Sequence, residues 1–314
     1  MYSGEAVIVK NTGSHYLLNA VGSGWNPFPA VLRGKVRLKG STSTNPVAVG
    51  DRVLFESAQE ASEQHPAAIV KVLERRNYII RKSTNLSRRS HIIAANLDQA
   101  CIVVSLMFPE LKLPFLDRIL VTCEMYNVPP VIVLNKVDLY RDSVEENIDS
   151  FRSVYESAGY RVLETSAVTG EGIDELKTIC SGRLSLFSGE SGVGKSSLLN
   201  AMDPSVSPRV GEISEAHLQG RHTTTFYEMY KLSFGAYVVD TPGLRGFGLV
   251  DVAPEEVALY FPEMLHLAGK CRFTPCTHTH EPGCAVKAAV EEGVVSVERY
   301  NSYLGMLEED KKFR

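Results

Sequence analysis

From residue 5 to about residue 80 the chain is a series of short runs of β-formers. Glu5–Val9, Tyr16–Ala20, Arg52–Phe55 and Ala68–Val72 are separated by Gly, Pro, Ser and Asn, the pattern of strands joined by turns. Val31–Lys39 alternates most clearly. Arg33, Lys35, Arg37 and Lys39 fall on one parity, and Leu32, Val36 and Leu38 on the other. A strand through them has an apolar inner face and a basic outer one. So many short strands in so short a span predict a small β-barrel of the OB-fold type. After about residue 90 the pattern changes. Asp98–Ser105 is a near-continuous apolar run, as expected of a strand buried on both faces. Leu116–Tyr126 reads as a helix, Pro130–Leu134 as a second buried strand, and Ser143–Ser157 as a polar-rich helix. Arg161–Glu164 and Arg183–Ser188 are further strands, the latter followed by a helix over Ser197–Met202, and Tyr227–Leu232 and Ala236–Val239 add two more. Alternation of strand and helix predicts an α/β domain wound on both faces of its sheet. Beyond Gly248 the pattern is helical, broken by a Cys/His cluster and closed by a charged helix near Ser296–Lys312. The expected division is a barrel over 1–80, an α/β domain over 81–249 and a helical domain over 250–314.

Charge sharpens this division. Residues 1–90 hold 13 Lys/Arg against 6 Asp/Glu, and the remainder holds 20 against 31, so a net −4 conceals a basic first module. Such a module is expected to meet a polyanion, and a basic barrel suits RNA, with Tyr16, Trp25 and Phe28 as stacking aromatics or as core. Met1–Val9 lacks a basic segment and a long apolar run, so it does not read as a signal peptide. No stretch approaches the roughly 18 apolar residues of a membrane span, and six cysteines are too few for a disulfide scaffold. A cytoplasmic protein without a membrane partner is expected, and the absence of a heptad repeat suggests a monomer.

The chemistry lies in the α/β segment. Gly189-Glu190-Ser191-Gly192-Val193-Gly194-Lys195-Ser196 fits G-x-x-x-x-G-K-[ST] after an apolar strand, with Ser197 opening the next helix. Its backbone N–H groups can cradle the α/β-phosphates, Lys195 adds charge at the β/γ-phosphates, and the Ser196 hydroxyl can ligate Mg²⁺. Asp240-Thr-Pro-Gly243 follows another apolar strand. There Asp240 can hold Mg²⁺ through water, and the Gly243 amide can sense a γ-phosphate. Asn135-Lys136-Val137-Asp138 follows the strand Val131–Leu134. The Asp138 carboxylate can accept from guanine N1–H and N2–H₂, a donor pair adenine lacks. Asn135 can brace the cradle, and the Lys136 stem can cover the ring. Thr165-Ser166-Ala167 closes the next strand, and the Ala167 N–H can donate to guanine O6. These motifs specify GTP over ATP. Their order is inverted, because the guanine motifs precede the phosphate cradle. Circular permutation allows this, since strands need only be neighbours in space. It also leads the Gly243 switch straight into the C-terminal region, which nucleotide state is therefore expected to move.

Cys271, Cys276, His278 and Cys284 form C-x₄-C-x-H-x₅-C. Three thiolates and one imidazole are a closed tetrahedral set for one structural Zn²⁺, with His278 preferred over His280. Cys101, Cys123 and Cys180 read as core residues.

With these pieces assembled, the chain resembles the circularly permuted small-subunit ribosome-biogenesis GTPases, the RsgA or YjeQ family. The resemblance spans nearly the whole chain, including His280-Glu-Pro-Gly-Cys284 and a first switch in Gly220-Arg-His-Thr-Thr-Thr225. It implies binding to the 30S subunit and 16S rRNA, a late role in 30S maturation, and GTP hydrolysis to GDP stimulated by the subunit. It also implies that Thr224, or its neighbour Thr223 or Thr225, ligates Mg²⁺. Many GTPases orient the attacking water with a Gln just after D-x-x-G, but that position is Leu244 here. The resemblance points instead to His222. Two other classes of protein fit the sequence less well. One is an RNA scaffold with a structural nucleotide, against which Lys195, Ser196 and Asp240 argue. The other is a small-molecule phosphotransferase, for which no acceptor motif is present.

Overall fold

The structure is a computed structural model that describes residues 2–13, 15–33, 47–82, 90–206, 227–240 and 252–312. Its first module is a closed five-stranded barrel. The strands β1 (Tyr2–Asn11), β2 (His15–Ala20), β3 (Phe28–Leu32), β4 (Arg52–Ser57) and β5 (Ala67–Val72) run in the order β1-β2-β3-β5-β4, and β1 pairs with β4 to close the circle. Only β3 and β5 are parallel. Alternate residues point inward, which gathers Ala6, Ile8, Leu18, Ala30, Val53 and Ile69 in the core. The Val31–Lys39 run is described only to Arg33, so most of its basic face lies outside the described residues. The three aromatics do not form an exposed row. Tyr16 is in the barrel core, Phe28 packs on Phe55 at 5.0 Å, and Trp25 packs on Tyr237 of the next module at 5.6 Å.

A hairpin of β6 (Tyr78–Lys82) and β7 (Ser90–Ala95) straddles residue 80 and leads into the nucleotide domain. There the sheet order is β10-β9-β8-β11-β13-β12, made of β8 (Gln99–Val104), β9 (Pro130–Asn135), β10 (Arg161–Thr165), β11 (Leu184–Ser188), β12 (Tyr227–Lys231) and β13 (Tyr237–Asp240). All its pairings are parallel except β12 with β13. Period two sorts the strand residues onto two apolar faces. Ala100, Ile102, Ile132, Leu134 and Leu186 pack towards α1 (Leu113–Met125) and α2 (Arg141–Ser157). Cys101, Val103, Val131, Val133 and Phe187 pack towards α3 (Ile173–Cys180) and α4 (Lys195–Met202). Each Val, Ile or Leu buried this way contributes about 1.5–3 kcal/mol, which is why β8 and β9 read as unbroken apolar runs.

The last module consists of α5 (Pro254–Val257), α6 (Pro262–Leu265), a Cys/His loop, α7 (Ala285–Glu291) and α8 (Val297–Lys312). Its core of Val257, Phe261, Met264, Val286 and Tyr303 includes Val121 from α1. No helix among the described residues is long and apolar enough to cross a membrane.

Candidate nucleotide and metal sites

The C-terminal ends of β8, β9, β11 and β13 converge, and the site is built where they stop. β11 ends at Ser188, the turn Gly189–Gly194 follows, and α4 begins at Lys195. Within the turn the Lys195 ammonium folds back and donates to the carbonyls of Gly189 (2.8 Å) and Glu190 (3.0 Å). Burial lowers the Lys195 pKa from the ordinary lysine value, and the charges of Asp240 and Glu190 act against that shift. Asp240 ends β13 opposite Phe187 of β11, on the strand next to the cradle. Val193 is buried, whereas Ser191, Gly192, Ser196 and Ser197 are open to solvent.

β9 delivers the second half of the site. Asn135, buried at its end, donates from Nδ2 to the Val193 carbonyl at 2.8 Å and accepts from the Thr165 hydroxyl at 3.2 Å. Its own carbonyl accepts from the Tyr140 hydroxyl at 2.7 Å. One side chain thus joins the base-reading strand, the next strand and the phosphate turn. This approach requires Gly194, which sits at φ +96°, where a Cβ would lie 2.4 Å from Asn135 Nδ2. Lys136 adopts a left-handed φ of 66°, and its ammonium donates to the Phe108 carbonyl. Asp138 is exposed at the start of the next turn. Beside it, the buried Ser166 hydroxyl accepts from the Val168 and Thr169 amides (3.2 and 3.1 Å), which shapes the turn through Ala167. The arrangement offers a phosphate cradle at a helix N-terminus with a cation above it, and an exposed carboxylate at the far end.

His222, Thr223, Thr224, Thr225, Gly243 and Leu244 lie outside the described residues. The other predicted nucleotide residues meet at this one place. Sequence reading missed Thr165 and Tyr140 as the groups that fix Asn135, and Phe108 as the partner of Lys136. A Thr at a strand end and a Tyr five residues after the Asn are the only signals the sequence carries for the first two.

The metal ligands also converge. The donor atoms of Cys271, Cys276, His278 and Cys284 all lie within 4.8 Å of one another. Cys271 and Cys284 sulfurs are 3.9 Å apart, and His278 Nδ1 is 3.6 Å and 3.3 Å from them. A tetrahedral ion with Zn–S bonds of about 2.3 Å requires sulfurs roughly 3.8 Å apart, so the set fits zinc. Burial lowers the His278 pKa towards the neutral ring a metal needs. Burial and the neighbouring thiols push Cys276 up to about 12, so a cation is what would favour three adjacent thiolates. Glu281 braces the loop by accepting from Thr277 and Thr279 amides (2.8 and 3.0 Å). From α8, Tyr300 donates to the His278 carbonyl at 2.6 Å, and Tyr303 donates to that of Thr277. Cys101, Cys123 and Cys180 are buried.

Comparison with known proteins agrees with this geometry. The sequence pattern of the RsgA GTPase family matches residues 72–250. The chain is 46% identical over 312 residues to a small ribosomal subunit biogenesis GTPase RsgA from Bacteroides fragilis, covering 99% of both chains. It is 44% identical to one from Flavobacterium psychrophilum, covering 97% of this chain and 92% of the relative. Among solved structures, YjeQ from Thermotoga maritima superposes with a TM-score of 0.78 at 34% identity, over 98% of each chain. YloQ, described as a circularly permuted GTPase, gives 0.76 at 28% identity, over 100% of this chain and 96% of that one.

Proposed function

The chain belongs to the RsgA GTPase family and is a GTP-hydrolysing enzyme, and from that premise we propose that it binds the small (30S) ribosomal subunit, assists its late maturation, and is stimulated by the subunit to hydrolyse GTP to GDP and phosphate. The observation that carries this reading is the Asn135 side chain, which ties the guanine motif to the phosphate cradle at 2.8 Å although the two occur in inverted order. Asp138 and the Ala167 amide read the guanine edge, and the Lys136 stem covers the ring. Gly189–Ser197 hold the phosphates, with Lys195 neutralising charge on the transferred group. Ser196 and Thr224, or a neighbouring Thr, would hold Mg²⁺ together with Asp240 through water, and the ion would supply further positive charge to those oxygens.

His222 orients the attacking water once the subunit orders the switch, and the Gly243 amide reports the γ-phosphate. One zinc ion, held by Cys271, Cys276, His278 and Cys284, shapes the C-terminal module without an open position for chemistry. The basic barrel contacts 16S rRNA. It carries an open cleft lined by Arg33, Gln59, Gln64 and His65, with Arg33 partly neutralised by Glu56 at 3.1 Å. The barrel, the nucleotide domain with its β6–β7 hairpin, and the C-terminal helical module are the working units, and the chain acts as a cytoplasmic monomer.

The test is GTP turnover by the purified chain alone, with 30S subunits and with 50S subunits. Stimulation by 30S alone, of at least about tenfold, equivalent to about 1.4 kcal/mol off the barrier, is the expected result. Equal rates in all three would remove the ribosomal assignment and favour a scaffold with a structural nucleotide. His222→Ala is expected to lose roughly 100-fold of the stimulated rate, within the range of a proton-handling group, while nucleotide affinity holds. Normal stimulated turnover in that variant would eliminate the role of His222.

A further inference from the structure

Between β8 and α1, the loop Ser105–Lys112 passes over the edge of the phosphate turn. At its tip Phe108 combines three features. The residue is 65% exposed, the most open Phe among the large hydrophobics of the described residues. Its backbone sits at φ +59°, a left-handed conformation that bulky side chains rarely adopt and that clusters at ligand sites. Its carbonyl accepts from the Lys136 ammonium, the residue whose stem is assigned to the guanine ring. The next residue, Pro109, lies beside the phosphate turn, with its Cδ 3.8 Å from where a Gly192 Cβ would be. An isolated exposed hydrophobe needs no explanation. One held in an uncommon backbone conformation, bonded to the base-covering lysine and flanking the phosphate turn, does.

We propose that Phe108 is a nucleoside-contacting residue of this GTPase, its ring covering the open side of the guanosine while its carbonyl holds the Lys136 ammonium in place. The inference rests on the guanine site as assigned above. The two contacts act on the same end of the nucleotide. The carbonyl fixes the Lys136 side chain across the mouth of the site, and the ring supplies apolar and stacking area that every purine nucleoside can use. Phe108 therefore contributes affinity without distinguishing GTP from GDP, because neither group reaches towards the γ-phosphate end that Lys195 serves. The aromatic ring also limits water access to the ribose side, so its loss is felt as faster nucleotide release.

The experiment compares GDP and GTP-analogue affinity and GDP release for Phe108→Ala, Phe108→Tyr and Asp138→Asn in the full chain. Phe108→Ala is expected to weaken both nucleotides equally, by roughly tenfold, the scale of one lost stacking contact. Phe108→Tyr is expected to restore affinity, because it keeps the ring. Phe108→Trp supplies a readout independent of affinity. Its fluorescence should change when GDP binds, beyond the signal of Trp25, which is packed on Tyr237 away from the loop. Unchanged affinity in Phe108→Ala, or a Phe108→Trp signal indifferent to GDP, overturns the proposal. Asp138→Asn separates the two levels. If it leaves GDP affinity intact, the guanine site itself is misassigned. If it weakens GDP binding while Phe108→Ala does not, only the role of Phe108 fails.

Discussion

Where β12 of the nucleotide domain runs beside β1 of the barrel, the junction is backbone pairing over shared apolar packing, with Val9 and Val49 buried among the nucleotide-domain core and Trp25 on Tyr237. Lys10 and Asn11 pair with Glu228 and Tyr227, the Ala95 amide donates to the Val49 carbonyl at 2.9 Å, and Asn96 Nδ2 donates to that of Gly50 at 3.0 Å. Its ion pairs are solvated: Lys10–Glu228 at 2.7 Å is 36% and 25% exposed, and Arg76–Asp98 is 56% and 34% exposed. Where α8 crosses α1, the junction is a buried charge cluster. Arg299, 1% exposed, donates from Nη1 to Asp117 at 2.7 Å and grips Glu263 with Nε and Nη2 at 2.8 and 3.0 Å. Phe261, Tyr160 and Tyr155 lie 4.7–5.6 Å from the guanidinium, and Tyr155 donates to Asp117 at 3.0 Å. Backbone pairing with solvated ion pairs tolerates change in its charged side chains. A buried cluster does not, because each charge is compensated only by its partner. The C-terminal module is therefore held to α1 in one geometry. α1 begins at Leu113, about one turn before Asp117 and directly after the Ser105–Lys112 loop that lies beside the phosphate turn. α1 therefore joins the loop beside the phosphate turn to the C-terminal module.

Removing the metal is the severest way to break this comparison. Structural zinc binding contributes on the order of 10–16 kcal/mol at neutral pH, and Tyr300 and Tyr303 seat α8 on the ligand loop. Chelation, or Cys284→Ser, should abolish zinc content and free α8. Hydrogen exchange over residues 271–303 should rise sharply while GDP affinity stays within about threefold, a shift well under the 1.4 kcal/mol of a tenfold change. Retained protection of α8 in metal-free protein would mean that Arg299 alone holds the junction.

Next in size is Arg299→Met, expected to cost about 3–5 kcal/mol because it strands the buried carboxylates of Asp117 and Glu263. Chemical denaturation measures it. The deficit should depend on pH, and the sign follows from Asp117. Burial raises its folded pKa above the ordinary 3.8, an effect Arg299 partly offsets. Without the guanidinium, the folded state binds the proton more readily than the unfolded one. Stability of the variant should therefore fall as pH rises from about 3.8 through the raised folded value, and recover as pH is lowered. Asp117→Asn with Arg299→Met should remove Asp117's share of that dependence.

None of this cluster was legible in the sequence, and the reason is physical. Asp117 sits in the apolar run Leu116–Val121, and its partner lies 182 residues away on a helix whose charges read as a solvated face. Burial of a charge is a property of the pair, and nothing local announces it. The hairpin β6–β7 and the short helix α3 escaped for a related reason. The hairpin strands are split by the polar stretch 83–89, and α3 spans only Ile173–Cys180. The convergence of Asn135 with the Gly189–Gly194 turn was legible because each motif is local. The cradle, Asn135–Asp138 and Thr165–Ala167 each follow an apolar strand, and parallel pairing with both faces covered forces those strand ends together. The Cys/His cluster was legible for the same reason, since all four of its residues fall within residues 271–284.

On the barrel side the one rigid demand is Gly50. It holds φ +87°, and a Cβ there would meet the Ala95 carbonyl oxygen at 2.1 Å. Gly50→Ala should cost about 1–3 kcal/mol from backbone conformation alone, read as a lowered unfolding midpoint, with the loss confined to the barrel junction. A neutral outcome would show that the two modules slide apart without penalty and that the backbone pairing is not what joins them.

The smallest effect should come from Lys10 and Glu228. Both side chains are partly solvated, so removing either exposes its partner to water and leaves no orphaned charge. A double-mutant cycle of Lys10→Ala and Glu228→Ala should return a coupling of about 0.2–1 kcal/mol. It should vanish in 1 M salt, where the Debye length falls to about 3 Å. The Arg299–Asp117 coupling measured in the same salt should persist, because buried pairs are screened much less. A Lys10–Glu228 coupling above that range, or one indifferent to salt, would mean that the barrel is clamped as firmly as the zinc module. The contrast between a tolerant and an unforgiving junction would then have no energetic basis.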